Sequence, residues 1–282
     1  MQFPEPHIRA PRNEHTHTAI VLHGRGSDGP EFAEELFSSV TSQGKNLPDS
    51  LPNFRWVFPT SGDRWSARFQ EDMPSWFDAY SLEDIEAKQE LQVDGLRESV
   101  MHMLELLDRE IEQVGGNPHR VYLGGISQGM ATALWTLLCA PGRTQGPLGG
   151  VLGFCGWLPY AGQAENLIKG FSNIPDRLDV PSKRRQGSQL LLDVIAGPNT
   201  THINENTDLS VLSTAIFLSH GSDDEWVPVR LGRQAARVLQ GFNLTTEYHE
   251  FIGAEVEGHW IAEPKGFDQI VRFIQKQVEQ NH

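Results

Sequence analysis

The stretch best equipped for chemistry is Gly125-Ile126-Ser127-Gln128-Gly129. A β-rich run, "RVYLG", leads in, and the Ala- and Leu-rich "MATALWTLL" leads out. Glycines on both sides let the backbone turn sharply from strand to helix and expose the hydroxyl. The N-terminus of the following helix favours negative charge beside it. A serine becomes a nucleophile only when a base takes its proton. Downstream, "FLSHGSDDEWVP" offers Asp223, Asp224 and Glu225, and "EVEGHW" offers His259, 35 residues after Asp224. Both segments follow predicted strands, where catalytic groups gather in an open parallel sheet.

Serine, acid, histidine is the chain order of the triad in α/β-hydrolases. In that reading His259 is the general base and then the general acid. Asp224 orients His259 and stabilises its imidazolium. Spacing alone does not separate Asp224 from its neighbour Asp223. His220, at a strand end, reads as a structural hydrogen-bonding residue, and His249 lies inside a strand. His7, His15 and His17 sit in a polar stretch without the Cys or carboxylate cluster a metal site needs. No metal and no cofactor is expected.

Acyl transfer also needs two N–H donors for the developing oxyanion. One is the N–H of Gln128, after the nucleophile. The other comes from the loop after an early strand, here His23-Gly24-Arg25-Gly26, with Arg25 as the donor. Gly24, Gly26 and Gly29 also have the spacing of a dinucleotide-binding loop. That reading demands an acidic residue at the end of the next strand. The strand Trp56–Phe58 ends instead in Pro59-Thr60, and Asp49 lies in a Pro-rich loop.

These groups need elements to position them. Apolar runs of strand length fall at 19–22, 56–58, 121–126, 151–154, 215–218 and 246–251. Most are continuous, as in strands covered on both faces. Helical periodicity lies between them, from about Leu82 to Val114, Met130 to Cys139, Pro228 to Leu239 and Phe267 to Val278. The alternation predicts an α/β fold with a mostly parallel central sheet and helices on both faces. Residues 1–17 read as a polar tail and 18–282 as one domain. Within it, residues 160–213 show no clear strand–helix unit and read as a surface insertion or lid-like segment.

The 282 residues carry a formal charge of −14. Such acidity disfavours nucleic acid, whose phosphates demand Lys and Arg, and docking on anionic membranes. No run of 18 apolar residues and no apolar leader region is present, which points to a cytoplasmic protein without stable membrane insertion. The two cysteines, Cys139 and Cys155, sit in apolar runs and read as buried hydrophobes. The sequon-like Asn199-Thr200-Thr201 and Asn243-Leu244-Thr245 read as chance matches.

With these residues placed, the chain resembles the acyl-protein thioesterase group of phospholipase/carboxylesterases, within the α/β-hydrolases. The matching stretches are "VLHGRGSDG", "MPSWFDAYSLED", "RVYLGGISQGMATALWTLL", "GVLGFCGWLP", "FLSHGSDDEWVPV" and "EGHW". The resemblance implies a triad of Ser127, Asp224 and His259, since the pattern His-Gly-x-x-Asp-x-x-Val-Pro selects Asp224 over Asp223. It implies Arg25 and Gln128 as oxyanion donors and places Trp76 near the acyl site. The implied substrates are S-acylated proteins, lysophospholipids or small esters, cleaved through an acyl-enzyme by a monomer or weak homodimer. A small-molecule carboxylesterase for short oxygen esters is the alternative. The sequence departs from the family pattern at Arg25, where Leu is typical, and in the length of the 160–213 segment.

Overall fold

The computed structural model describes residues 3–171, 178–196 and 202–280. In chain order the strands are β1 (His7–Arg9), β2 (His17–Leu22), β3 (Phe54–Phe58), β4 (Asp63–Ser66), β5 (Glu71–Pro74), β6 (Val121–Ile126), β7 (Gly150–Phe154), β8 (Ile216–Gly221) and β9 (Thr246–Phe251). The helices are α1 (Gly29–Ser38), α2 (Leu47–Ser50), α3 (Gln92–Gln113), α4 (Gln128–Leu138), α5 (Ala161–Phe171), α6 (Val180–Ala196), α7 (Val229–Gly241) and α8 (Lys265–Gln280). Seven strands form one sheet in the order β1-β3-β2-β6-β7-β8-β9, and only β1 runs antiparallel. β4 and β5 make a separate hairpin.

Strand residues alternate between two apolar layers, as the two-residue period of a strand requires. Ile20 and Leu22 face the layer built on α3, α4, α6 and α7, while Ala19 and Val21 face α1 and α8. The chain steps from β2 to β3 on one side and then to β6 on the other. This reversal opens a crevice at the carboxyl ends of β2 and β6, the place where open α/β sheets bind ligands. The loops after β8 and β9 end on the same edge.

Three segments depart from the sequence reading. Part of the polar tail is structured: β1 pairs with β3 across His7↔Phe58 and Arg9↔Trp56. Alternation of polar and apolar residues over three positions is too short a signal to read as a strand. The helix expected from Leu82 begins at Gln92, because Lys88 takes a left-handed φ of 51° and interrupts the run. The 160–213 segment, read as lacking regular units, holds α5 and α6. Ala164 of α5 and Leu191 of α6 are fully buried in the core. Their apolar positions are interrupted by Lys183-Arg184-Arg185, which disguised the period. These cations bond outward: Arg184 donates to Ser213 Oγ and Asn243 O, and Arg185 donates to Asn204 O. Asn199, of the first sequon-like pattern, lies outside the described residues.

If α6 is integral to the core, Leu191→Ala should cost about 2–5 kcal/mol of unfolding free energy, the usual penalty for emptying a buried leucine site. Urea unfolding measures it. A loss below about 0.5 kcal/mol would mean that α6 does not pack as described.

Candidate active site

Ser127 stands between β6 and α4 with φ 56° and ψ −121°, a backbone region that side-chain-bearing residues rarely occupy. The turn persists because its surroundings leave no alternative. The Ser127 N–H donates to Phe154 O at 2.8 Å. A Cβ on Gly129 would lie 2.3 Å from Leu22 O and 2.6 Å from His23 O, and one on Gly125 would meet Gly129 at 2.6 Å. Those glycines answer close packing of backbone on backbone. They draw the β6–α4 turn onto the end of β2, so that a Cβ on Gly24 would lie 3.5 Å from Ser127 Cβ.

The acid and the base come from the loops after β8 and β9. His259 Nδ1 lies 2.7 Å from Asp224 Oδ2. A neutral His259 therefore carries its proton on Nδ1 and leaves Nε2 as the basic nitrogen. Asp224 Oδ1 accepts from the N–H groups of Trp226 and Val227 at 2.9 and 2.8 Å. Burial disfavours the carboxylate, but hydrogen bonds from His220 and His259, the nearby imidazole and the Val227 N–H outweigh it. Together they hold the Asp224 carboxyl well below the ordinary range. Asp223 turns away and accepts from Gly253 N–H at 2.8 Å. The two loops are further tied by Glu225 N–H to Glu257 O at 3.1 Å and Trp226 Nε1–H to Glu257 Oε2 at 2.8 Å.

The loop after β2 is held from beneath. The His23 ring is wholly buried, accepts from Ser61 N–H through Nε2 at 3.0 Å, and has Nδ1 2.6 Å from Gly24 O. Burial lowers its pKa from 6.5 to about 4, so the imidazole is neutral at ordinary pH. The Arg25 guanidinium folds away from Ser127, over the Phe69 ring at 4.7 Å, and donates to Ala79 O. Among the described residues no acceptor meets the backbone N–H of Arg25 or of Gln128. The Gln128 side chain accepts from Trp76 N–H at 2.9 Å and donates to Phe77 O at 2.6 Å.

Trp76, expected to contact substrate, is placed otherwise. It is fully buried, its indole N–H donates to His23 O at 2.9 Å, and Phe3 and His23 flank its ring. It supports the loop instead of lining the cavity. The exposed aromatic at the cavity is Trp226, 59% exposed and nearly parallel to the His259 ring, beside the buried Phe32 and Trp260. Sequence reasoning passed over Trp226, although its position two residues after Asp224 fixes it next to the base.

Ser127 and His259 line one cavity of about 230 Å³, together with Gly24, Arg25, Leu82 and Trp226. A larger cavity of about 700 Å³ lies between α3, α6 and residues 202–208, and no residue of the Ser127, Asp224 and His259 group lines it. Among the described residues, Cys155, Asp224 and His259 form the one group whose donor atoms lie close enough to share a cation. Asp224 and His259 are already bonded to each other there. His15 bonds Thr18, and His17 stacks on Phe54.

A strained strand–turn–helix serine beside a carboxylate–imidazole pair, at the carboxyl edge of a parallel sheet, defines the class of α/β-hydrolases with a serine centre. The family model described as Phospholipase/Carboxylesterase matches residues 4–176. Acyl-protein thioesterase 1 of Schizosaccharomyces pombe is 30% identical over 203 residues, covering 72% of this chain and 82% of the relative. Acyl-protein thioesterase 1 of Yarrowia lipolytica is 34% identical over 161 residues, covering 55% of this chain and 64% of the relative. The crystal structure of Zea mays acyl-protein thioesterase 2 shares the fold, with a TM-score of 0.64 at 22% identity over 97% of this chain and 98% of that one. The chain belongs to the phospholipase/carboxylesterase family and is a serine hydrolase acting on esters or thioesters. Among the described residues no helix is long and apolar enough to cross a membrane.

The neutral buried His23 gives a pH dependence. Its folded pKa lies below its unfolded value, so between about 6.5 and 4 the unfolded chain binds the extra proton. Stability should therefore fall as pH drops from about 6.5 towards 4. His23→Gln should be less stable at pH 7 but show a flatter slope across that window, by urea unfolding at a series of pH values. An unchanged slope would mean that His23 does not titrate this way.

Proposed function

We propose that this hydrolase works through an acyl-enzyme formed on Ser127. The Ser127 Oγ attacks the acyl carbon while His259 Nε2 takes the hydroxyl proton. The carbonyl oxygen, now an oxyanion, is met by the N–H groups of Arg25 and Gln128. Asp224 holds the imidazole in place and stabilises its charge. As the carbon–sulfur or carbon–oxygen bond breaks, His259 gives its proton to the leaving thiol or alcohol. Water, deprotonated by His259, then attacks the acyl-enzyme and releases the carboxylic acid and free Ser127. No cofactor enters these steps. The observation that carries this reading is the 2.7 Å bond between His259 and Asp224, at a cavity shared with a serine on a strained turn.

The substrates we propose are acyl thioesters or esters: S-acylated proteins, lysophospholipids or small esters. We place the enzyme in the cytoplasm as a monomer or weak homodimer, with residues 18–282 as the catalytic unit. Cavity size favours the short-chain carboxylesterase alternative. On the scale by which a cavity of about 150 Å³ admits benzene, 230 Å³ takes about nine heavy atoms. A palmitoyl chain is nearly twice that and would extend past Trp226 into solvent.

Ser127→Ala should lower kcat by about 10⁶-fold. Asp224→Asn should lower it about 10⁴-fold, and Asp223→Asn by less than about tenfold, since Asp223 only accepts a backbone N–H. Turnover of Ser127→Ala within about tenfold of wild type would sink the assignment. Hydrolysis of p-nitrophenyl esters and matching thioesters from acetyl to palmitoyl separates the substrate readings. A maximum at short oxygen esters selects the carboxylesterase, and a maximum at long thioesters selects the deacylase.

A further inference from the structure

Asp224 is shared. His220, at the end of β8, meets the same carboxylate oxygen as His259. Its Nε2 lies 2.8 Å from Val227 O and 3.3 Å from Asp224 Oδ2, with His220 1% and the Asp224 side chain 0% exposed. Both neighbours of Nε2 are oxygens, so this nitrogen carries the proton. The other nitrogen, Nδ1, is buried without a partner. It lies against α7, where a Cβ on Gly232 would come within 2.3 Å. The neutral imidazole is therefore the Nε2–H tautomer.

We propose that His220 is a positioning residue for the catalytic carboxylate. Its Nε2–H, divided between Val227 O and Asp224 Oδ2, fixes how Asp224 faces His259 and tempers the negative charge His259 feels. The inference rests on the triad reading above. Of the other groups around the pair, Glu250 and Cys155 have partners of their own, and the Tyr248 hydroxyl is buried without one. Glu250, across from His220 on β9, is bound by Arg233 of α7. The Tyr248 hydroxyl of β9 packs at Gly232, and the Cys155 thiol, close to Asp224 and His259, donates to the Trp260 carbonyl. His220 is the side chain that places an N–H on Asp224 without being the base.

The test compares His220→Gln with His220→Asn. A glutamine amide reaches the place of Nε2, whereas an asparagine amide reaches only that of Nδ1. Rates on one p-nitrophenyl ester are measured across pH, with melting temperature and fluorophosphonate labelling as checks of fold and of Ser127. Loss of the hydrogen-bond partner of a metal-ligating side chain costs about 10- to 100-fold, and the same scale is taken here for the carboxylate. The Asn variant should lose that much in kcat with KM within about twofold. Its acid limb of kcat/KM, which reports the free base, should move to higher pH, because an untempered Asp224 makes His259 more basic. The Gln variant should recover kcat to within about fivefold and return the limb to its original place. Wild-type kcat and an unmoved limb in the Asn variant would overturn the proposal. So would a folded Gln variant as slow as Asn. If the Asn variant does not fold, the Gln comparison with wild type decides alone. Ser127→Ala, run alongside, separates the two levels. A dead Ser127→Ala beside an unaffected Asn variant removes only the role of His220, whereas an active Ser127→Ala removes the triad and this proposal with it.

Discussion

The site depends on keeping one carboxylate charged inside the protein. A buried carboxylate is costly unless its oxygens are hydrogen-bonded. Asp224 meets that condition through two backbone N–H groups on one oxygen and imidazoles on the other. The condition constrains much more than Asp224. Trp226 and Val227 must curl back to present their N–H groups, which sets the loop after β8. His259 must arrive from the loop after β9, and the bonds from Asp223 to Gly253 and from Trp226 to Glu257 bring that loop in. Val256 and Glu257 accept left-handed φ values of 52° and 55° on the way. Local strain of this kind persists only where the surroundings over-determine it.

A second constraint works on the other side of Ser127. The N–H groups of Arg25 and Gln128, the proposed oxyanion donors, meet no acceptor among the described residues, yet their loops are fixed in place. The chain solves this by bonding the side chains below the loop and leaving the N–H groups above it unused. Trp76 holds His23 O, Gln128 holds the Trp76–Phe77 backbone, and Ser61 holds the His23 ring. Preorganised donors need no rearrangement when charge develops, which is why such sites contribute so much of the barrier lowering. Arg25 fits the same plan. Its guanidinium packs on Phe69 and the Ala79 carbonyl, which ties the loop to the β4–β5 turn and the segment after β5, and its backbone N–H meets no acceptor among the described residues.

What remains open to substrate is small and partly aromatic. Trp226 stands beside His259, and the cavity they line with Ser127 is about 230 Å³. The length of segment 160–213 is spent on core helices α5 and α6, not on the cavity, since none of its described residues lines it. The residues lining the cavity at Ser127 come from the loops after β2, β6, β8 and β9, from α1 and from Leu82.

The sequence by itself determined the class of fold and the serine-hydrolase family. Gly125, Ser127 and Gly129 between a β-rich and an Ala/Leu-rich run signal a strand–turn–helix serine, because the small residues permit a turn that contacts with β2 and β7 then hold. Continuous apolar runs separated by helical periods specify a buried parallel sheet. Asp224 and His259 were legible through chain order and through the pattern that encloses Asp224. Other features became visible only in the tertiary structure. The role of Trp76 is one, since an indole reads alike whether it meets substrate or a backbone carbonyl. The strand β1 and the helices of segment 160–213 are others, for their identity comes from what they pack against. His220 is the clearest case. Its place on Asp224 depends on a loop folding back through Val227 and on α7 closing over Nδ1, contacts between segments that no local pattern records.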